Sequence, residues 1–352
     1  PPKLPPNTLK SLLSRAFANA IHPLTRLFAD MRSEAAANPF MMGAKKSYVP
    51  RLGTIVWETK DDDLFHAYIF KTPDGKKVGF VRIPSYDGGA KEVARFAQIM
   101  AKFQKETSAL VIDQVSNPGG AIFYLYALAS HLTDKTLLTP RHKIIIGESD
   151  AQWAADLLLK IVQAQQGRAA AKASSEDDEE EDEWAGYPVT QKFMVLMVRF
   201  AQFILKELEA GRRFTAPTHL WGVDDIDPAP KAEERYTKPI LLLTNALDFS
   251  GGDFFPAIMQ DNKRATIMGV RTSGAGGAVK PYTLPNQFGI EDLSATWTIA
   301  QRADGRPIEN LGVTPDIAYD FTAKDLRTGF AQYRLAVLKA LGGLIDGAKT
   351  AP

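Results

Sequence analysis

Cysteine is absent from all 352 residues. Its absence excludes disulfide bridges, zinc–thiolate centres and a cysteine nucleophile. It leaves the compartment open, because secreted bacterial proteins often do without cysteine. Long apolar runs are missing too. No stretch approaches 18 consecutive apolar residues, so nothing in the sequence reads as a membrane span. Phosphate-cradling loops are missing: there is no GxGxxG after a strand-like run and no GxxxxGK[ST]. A surplus of one charge sign is also lacking. Lys and Arg number 42 against 41 Asp and Glu, a net charge of +1. No global field therefore draws the chain to nucleic acid or to a membrane surface. The sequence opens on Pro1 rather than Met and carries no signal-peptide pattern, so it reads as a processed or trimmed piece of a longer protein.

What is present suits a packed core. Apolar residues make up 45% and charged residues 24%, the balance of a soluble globular protein. The length admits one large domain or two ordinary ones. "GTIVWET" and "FHAYIFKTPDGKKVGFVRIP" read as strands, the second folded at Pro73-Asp74-Gly75. "KEVARFAQIMAKFQKE" has apolar residues at 93, 96, 97, 100 and 103, which is helical spacing. The apolar run "ALVIDQ" predicts a short strand, followed by a helix from Ala121 to Leu132; "KIIIGE" suits another strand. Residues 150–166, 188–210 and 323–345 predict helices, as does Ser250–Asn262. "KPILLLTNA" and "RATIMGV" predict buried strands, and "ATWTIAQRADGRPIENLGV" a hairpin with its exit loop. Alternating strands and helices make the class α/β. The eight consecutive acidic residues Glu176–Glu183 read as a solvated, low-complexity, mobile insertion rather than a binding device.

Three turns carry the candidate chemistry. In "DFSGGDFF", Ser250 sits where a strand enters a helix. Unpaired N–H groups and the helix dipole favour negative charge there. The next N–H, of Gly251, could donate to the oxyanion formed when Ser250 Oγ attacks a carbonyl. A plain serine N-cap fits the same pattern, and the turn alone does not decide. In "DQVSNPGG", Gly119 and Gly120 also offer N–H groups at a helix start, although alone this is only a strand-to-helix turn. In "IENLGVTPD", Glu309 precedes a tight Asn310-Leu311-Gly312 turn, a place from which it could orient a histidine. A lone loop glutamate is more often a solvated charge.

Together with "GFVRIPSY", "FYLYALASHLTD", "KRATIMGVRTSGAGG" and "TLPNQFGI", the order and spacing of these turns resemble the tail-specific or C-terminal processing proteases, peptidase family S41, from about Tyr48 onward. The resemblance implies a crotonase/ClpP-like ββα core, a mixed sheet flanked by helices, in a serine endopeptidase without cofactor or metal. It implies Ser250 as nucleophile and Glu309 as the acid of a Ser-His-Glu triad. Gly251, Gly119 and Gly120 would form the oxyanion hole. Many members use a Ser-Lys dyad instead, with the lysine in a T-x-G-K-G stretch. Here that stretch is Thr272-Ser273-Gly274-Ala275-Gly276, and Ala275 stands in the lysine's place, in agreement with the triad branch.

The base is the missing part. The five histidines are His22, His66, His131, His142 and His219, and none carries the family's surrounding pattern. His66 reads as an exposed strand face, His131 as core or boundary, and His142 as a loop residue. The resemblance implies that the histidine comes from an N-terminal fragment or domain. Residues 1–47 would be a linker or propeptide-like segment. Residues 48–346 would be the catalytic domain, with an insertion at about 170–186, and 347–352 a tail. The implied partners are protein or peptide substrates, the histidine-bearing piece and, as a further option, a second copy in a homodimer, with no nucleic acid. The implied compartment is secreted or periplasmic, in a bacterium. Two rival readings are a binding module that has lost hydrolysis on the same fold, and a crotonase-like acyl-CoA enzyme, for which no basic cluster marks a phosphate site.

Overall fold

The computed structural model describes residues 41–165, 183–282 and 293–350. His22, the acidic run up to Asp182, most of the segment 1–47 and the "TLPNQFGI" motif lie outside the described residues.

Three strands open the fold: β1 (Thr54–Glu58), β2 (Ala67–Lys71) and β3 (Lys77–Arg82). They pair antiparallel in sequence order, and Gly75 takes φ 82 in the turn between β2 and β3. Helix α1 (Ala90–Glu106) follows, then β4 (Ala109–Asp113) and α2 (Ile122–Ser130). Strand β5 (Arg141–Ile144) leads to two long helices, α3 (Glu148–Gln165) and α4 (Gln191–Glu209). The chain then returns to the main sheet through β6 (Ile240–Thr244), α5 (Gly251–Asp261) and β7 (Thr266–Gly269). A hairpin of β8 (Val279–Tyr282) and β9 (Leu293–Thr296) precedes β10 (Thr298–Gln301) and β11 (Ile317–Ala318). Helices α6 (Ala323–Arg327) and α7 (Ala331–Thr350) close the chain.

The main sheet has seven strands in the order β1-β2-β3-β4-β6-β7-β11, antiparallel at the β1 side and parallel from β3 onward. Strands β4 and β6 are buried along their whole length. That explains why they read as unbroken apolar runs: both faces of the sheet are covered. Side chains alternate between faces. Leu110, Ile112, Leu242 and Ile267 join the core under α1, α2 and α5, and Val111, Leu241, Leu243 and Met268 join the core under α7. Helix α7 presents Tyr333, Val337, Leu341 and Ile345 at a spacing of four. Each such side chain stabilises the fold by about 1.5–3 kcal/mol.

The predicted α/β class and most predicted elements are present, with five differences. The histidine at 142 is not in a loop: it lies in β5 and is fully buried, because β5 pairs with β10, His142 opposite Ala300. That strand is Arg141–Ile144 rather than "KIIIGE". The predicted hairpin within 295–313 makes a single bridge, Gln301 to Pro307, after the turn at Gly305; proline has no N–H to extend a ladder. The helical region 323–345 is two helices, broken at Gly329 and Phe330, both with φ near 60. His66 is not on an exposed face: it is largely buried and packs edge-on against Phe80.

Candidate active site

Strands β4 and β6 run parallel as neighbours, with Asp113 opposite Leu243. The turns 114–120 and 245–250 therefore leave the same end of the sheet side by side. The crevice outside the carboxyl ends of parallel strands is where such sheets form sites. A buried carboxylate, Asp248, clamps the two turns. Its Oδ1 accepts the Asn117 N–H at 3.0 Å, and its Oδ2 accepts the Asn245 N–H at 3.0 Å and Gln114 Nε2 at 3.2 Å. The Phe249 N–H donates to Asn117 O at 2.9 Å. Gln114 Nε2 also donates to Gly252 O, and its Oε1 accepts from Tyr86 Oη. Burial pushes the Asp248 carboxyl well above the usual range, against the pull of these donors. Sequence reasoning missed Asp248, because an aspartate in a turn carries no mark of what it will clamp.

Ser250 occupies the N-cap position of α5, but it is not a capping serine. Its side chain makes no capping hydrogen bond, and its backbone sits at φ 51, ψ −111. A capping serine has extended dihedrals and accepts through its hydroxyl. Positive φ at a residue other than glycine is strained, and strain of this kind gathers at functional turns. The turn is held from both sides: Ser250 O accepts the N–H groups of Asp253 and Phe254 at 2.8 and 3.0 Å.

The predicted glycines surround it. Gly119 takes φ 91, and a Cβ there would stand 2.7 Å from both Ser250 Cβ and Gly251 N. Gly120 takes φ 145, and a Cβ there would stand 2.3 Å from the Tyr86 carbonyl. The Gly119 N–H is already given to Asn117 Oδ1 at 2.8 Å. Among the described residues, no hydrogen bond engages the N–H of Gly120 or of Gly251. A Cβ on Gly251 would lie 3.4 Å from Gly120 N, so the two groups are close neighbours. A methyl group at position 119 has nowhere to go but into Ser250. With the histidine-bearing piece present, Gly119→Ala is therefore expected to slow covalent labelling of Ser250 by about a hundredfold, the scale of a 1 Å misplacement. Labelling kinetics and a thermal melt of the same sample check this; an unchanged labelling rate would show that Gly119 does not shape the turn.

Glu309 lies on a neighbouring loop. Its Oε1 accepts the Ala300 N–H at 3.1 Å, while its Oε2 is buried and has no partner among the described residues. Burial raises its pKa above the ordinary value, with the negative Asp253 adding to the rise. The turn after it is as tight as predicted, with Asn310 at φ 63 and Gly312 at φ 58. No hydrogen bond joins Glu309 to Ser250. The two are connected through residues 272–275: Asn310 N–H donates to Gly274 O at 2.7 Å, and Ser273 N–H donates to Asp248 O at 3.1 Å. Ala275 lies in this loop and brings no amine to the site.

Each of the four described histidines has one ring nitrogen engaged away from the Ser250 turn, while Nδ1 of His66 and Nε2 of His142 are buried with no partner among the described residues. His131 Nδ1 lies 3.2 Å from Glu234 O and His219 Nδ1 2.8 Å from Thr139 Oγ1. His66 Nε2 is 3.5 Å from Glu58. His142 Nδ1 lies 2.9 Å from Thr298 Oγ1, its ring is stacked on Phe254, and burial pulls its pKa down to about 3. None of them is hydrogen-bonded to Ser250 or to Glu309. Among the described residues, no group of three or more His, Asp or Glu is placed to hold a metal ion, and no helix is long and apolar enough to cross a membrane.

The family described as peptidase family S41 matches residues 77–319. A protein of Chlamydia muridarum (strain MoPn / Nigg) is 38% identical over 322 residues, which cover 87% of this chain and 52% of the relative. One of Chlamydia trachomatis serovar D is 36% identical over 341 residues, covering 91% and 55%. The crystal structure of mature CPAF superposes with a TM-score of 0.76 at 35% identity, covering 87% of this chain and 59% of that one. The chain thus spans about half the length of the curated relatives it matches.

Proposed function

The chain belongs to peptidase family S41, and from that membership we propose that it is the C-terminal catalytic portion of a CPAF-type serine endopeptidase. The observation that carries the reading is the Ser250 turn: a strained serine at a helix start, unspent as a cap, beside two N–H groups that no carbonyl takes.

In the proposed reaction, Ser250 Oγ attacks the scissile carbonyl while an imidazole takes its proton, since a serine hydroxyl is a poor nucleophile at neutral pH. The N–H groups of Gly120 and Gly251 receive the oxyanion, and Gly119 acts by its missing side chain. The imidazolium returns the proton to the leaving amine, and water then hydrolyses the acyl-enzyme. Glu309 Oε2 is the acceptor for the other imidazole nitrogen; its buried, unpartnered oxygen supports that role. The imidazole belongs to a part of the longer protein beyond this chain. Two facts support this: no described histidine is hydrogen-bonded to Ser250 or to Glu309, and the relatives are about twice as long. Residues 48–346 form the catalytic domain in this scheme, and the substrates are proteins or peptides.

A fluorophosphonate probe tests the proposal. This chain alone is expected to label at Ser250 slowly or not at all, because the oxyanion hole without its base leaves only residual reactivity. Adding the histidine-bearing segment as a separate polypeptide should restore labelling, and mutating its histidine should remove it again. Fast labelling of the isolated chain would overturn the split triad. No labelling under any condition would overturn the peptidase reading.

A further inference from the structure

Asp253 lies three residues after Ser250, in the first turn of α5, and is fully buried. It does not behave as an ordinary first-turn acid. Its Oδ1 accepts from Thr272 Oγ1 and from the Gly274 N–H at 2.9 Å. Its Oδ2 accepts from the Ala275 N–H at 3.0 Å and Ser273 Oγ at 3.2 Å. Four donors from four consecutive residues thus converge on one carboxylate. The same loop grips the Glu309 turn from its other side. Thr272 Oγ1 accepts the Val313 N–H at 2.8 Å, and Gly274 O accepts the Asn310 N–H at 2.7 Å. A rigid chain of contacts therefore runs from the helix that starts at Ser250, through Asp253 and the 272–275 loop, to the turn that carries Glu309.

We propose that Asp253 is a positioning residue that sets the placement of Glu309 relative to Ser250. This deepens the peptidase reading and rests on it. The Glu309 turn is held on its near side by β10, where the Ile308 N–H donates to Ala300 O at 2.8 Å and the Ala300 N–H to Glu309 Oε1, and on its far side by the Asp253 loop, which takes the N–H groups of Asn310 and Val313. Ionised aspartate is suited to the task because it only accepts, and all four of its neighbours donate. An asparagine would turn an NH2 toward two of those donors and push the loop away. Hydrogen bonds to a charged group are also the stronger kind.

The test uses the complete protein with its histidine-bearing part. Asp253→Asn is expected to lower kcat by at least about tenfold, up to the hundredfold that a 1 Å misplacement costs, with KM nearly unchanged. A purely structural loss would multiply with any other defect. A loss that acts through Glu309 would not: added to Glu309→Gln, Asp253→Asn should cost little more, because the group it positions has already lost its charge. Full multiplication of the two losses, or a rise in KM in place of the fall in kcat, would overturn the proposal. If Asp253→Asn does not fold, Thr272→Val and Thr272→Ser decide. The valine should slow acylation, and the serine, which keeps the hydroxyl, should recover most of the loss; equal rates for the two would overturn the proposal. Ser250→Ala is measured alongside. If it stays active, the peptidase reading fails and takes this inference with it, whereas an inactive Ser250→Ala beside a fully active Asp253→Asn sinks the role of Asp253 alone.

Discussion

Replacing Ser250 by alanine is expected to lower kcat for peptide hydrolysis by about a millionfold, the scale seen when a triad serine is removed. The fold should hardly notice. The hydroxyl makes no capping bond to lose, and alanine carries the same Cβ at the strained φ of 51. The turn is held by the backbone bonds at Ser250 O and by the Asp248 clamp, none of which needs the hydroxyl. The measurement pairs a peptidase assay on the complete protein with a melting curve. Equal hydrolysis by variant and parent would remove Ser250 from the chemistry. Lost hydrolysis with a large fall in melting temperature would make the serine structural.

The second large effect is at Glu309. Glu309→Gln keeps the shape but cannot hold the imidazole in the right tautomer or stabilise its charged form. A loss of about 10⁴ in kcat is expected, as for a triad acid exchanged for its amide. The same change should act in the opposite sense on stability. The carboxyl is raised above its ordinary 4.5 by burial. The native state therefore binds this proton more tightly than the unfolded chain does. The stability it contributes is full below 4.5 and is lost as pH rises through the raised value. Glutamine carries no charge to bury. The variant should thus melt higher than the parent at neutral pH, and the gap should close in acid. A parent that melts higher at neutral pH would mean that the carboxylate is well paired in the folded chain. An activity unchanged at saturating substrate would end its proposed catalytic role.

A penalty in stability at a residue proposed to serve the chemistry would be a familiar trade. It also marks what the sequence could and could not reveal. Helix α1 and strands β4 and β6 were legible because apolar spacing depends only on which faces are covered, and burial on both faces of the sheet leaves a plain signature in "ALVID" and "ILLLT". The Ser250 turn was legible as a place but ambiguous in meaning. The same letters fit a capping serine, and the dihedrals that separate the two depend on contacts with residues 117–120, far away in the chain. His142 was misplaced for a similar reason: Pro140 and Arg141 suggested a loop, and the strand forms because distant segments arrive to pair with it, Thr218 opposite His142 on one side and Ala300 on the other. Asp248 and Asp253 were invisible as hubs. Each is a common residue in a common place, and each gains its donors from segments that meet only in the folded chain.

The backbone at position 250 has a bearing on which elements could serve as the attacking atom. A φ of 51 tolerates a single Cγ-type substituent but sets itself against branching at Cβ, where bulky residues are outliers. Serine and cysteine share that unbranched shape, so exchange of oxygen for sulfur leaves the turn as it is. Threonine, the other hydroxyl amino acid, adds a methyl group where the chain is already crowded by Gly119. Drift between alcohol and thiol chemistry is thus one codon change and no backbone movement away, while a secondary alcohol at this site is closed off by conformation before any question of reactivity arises.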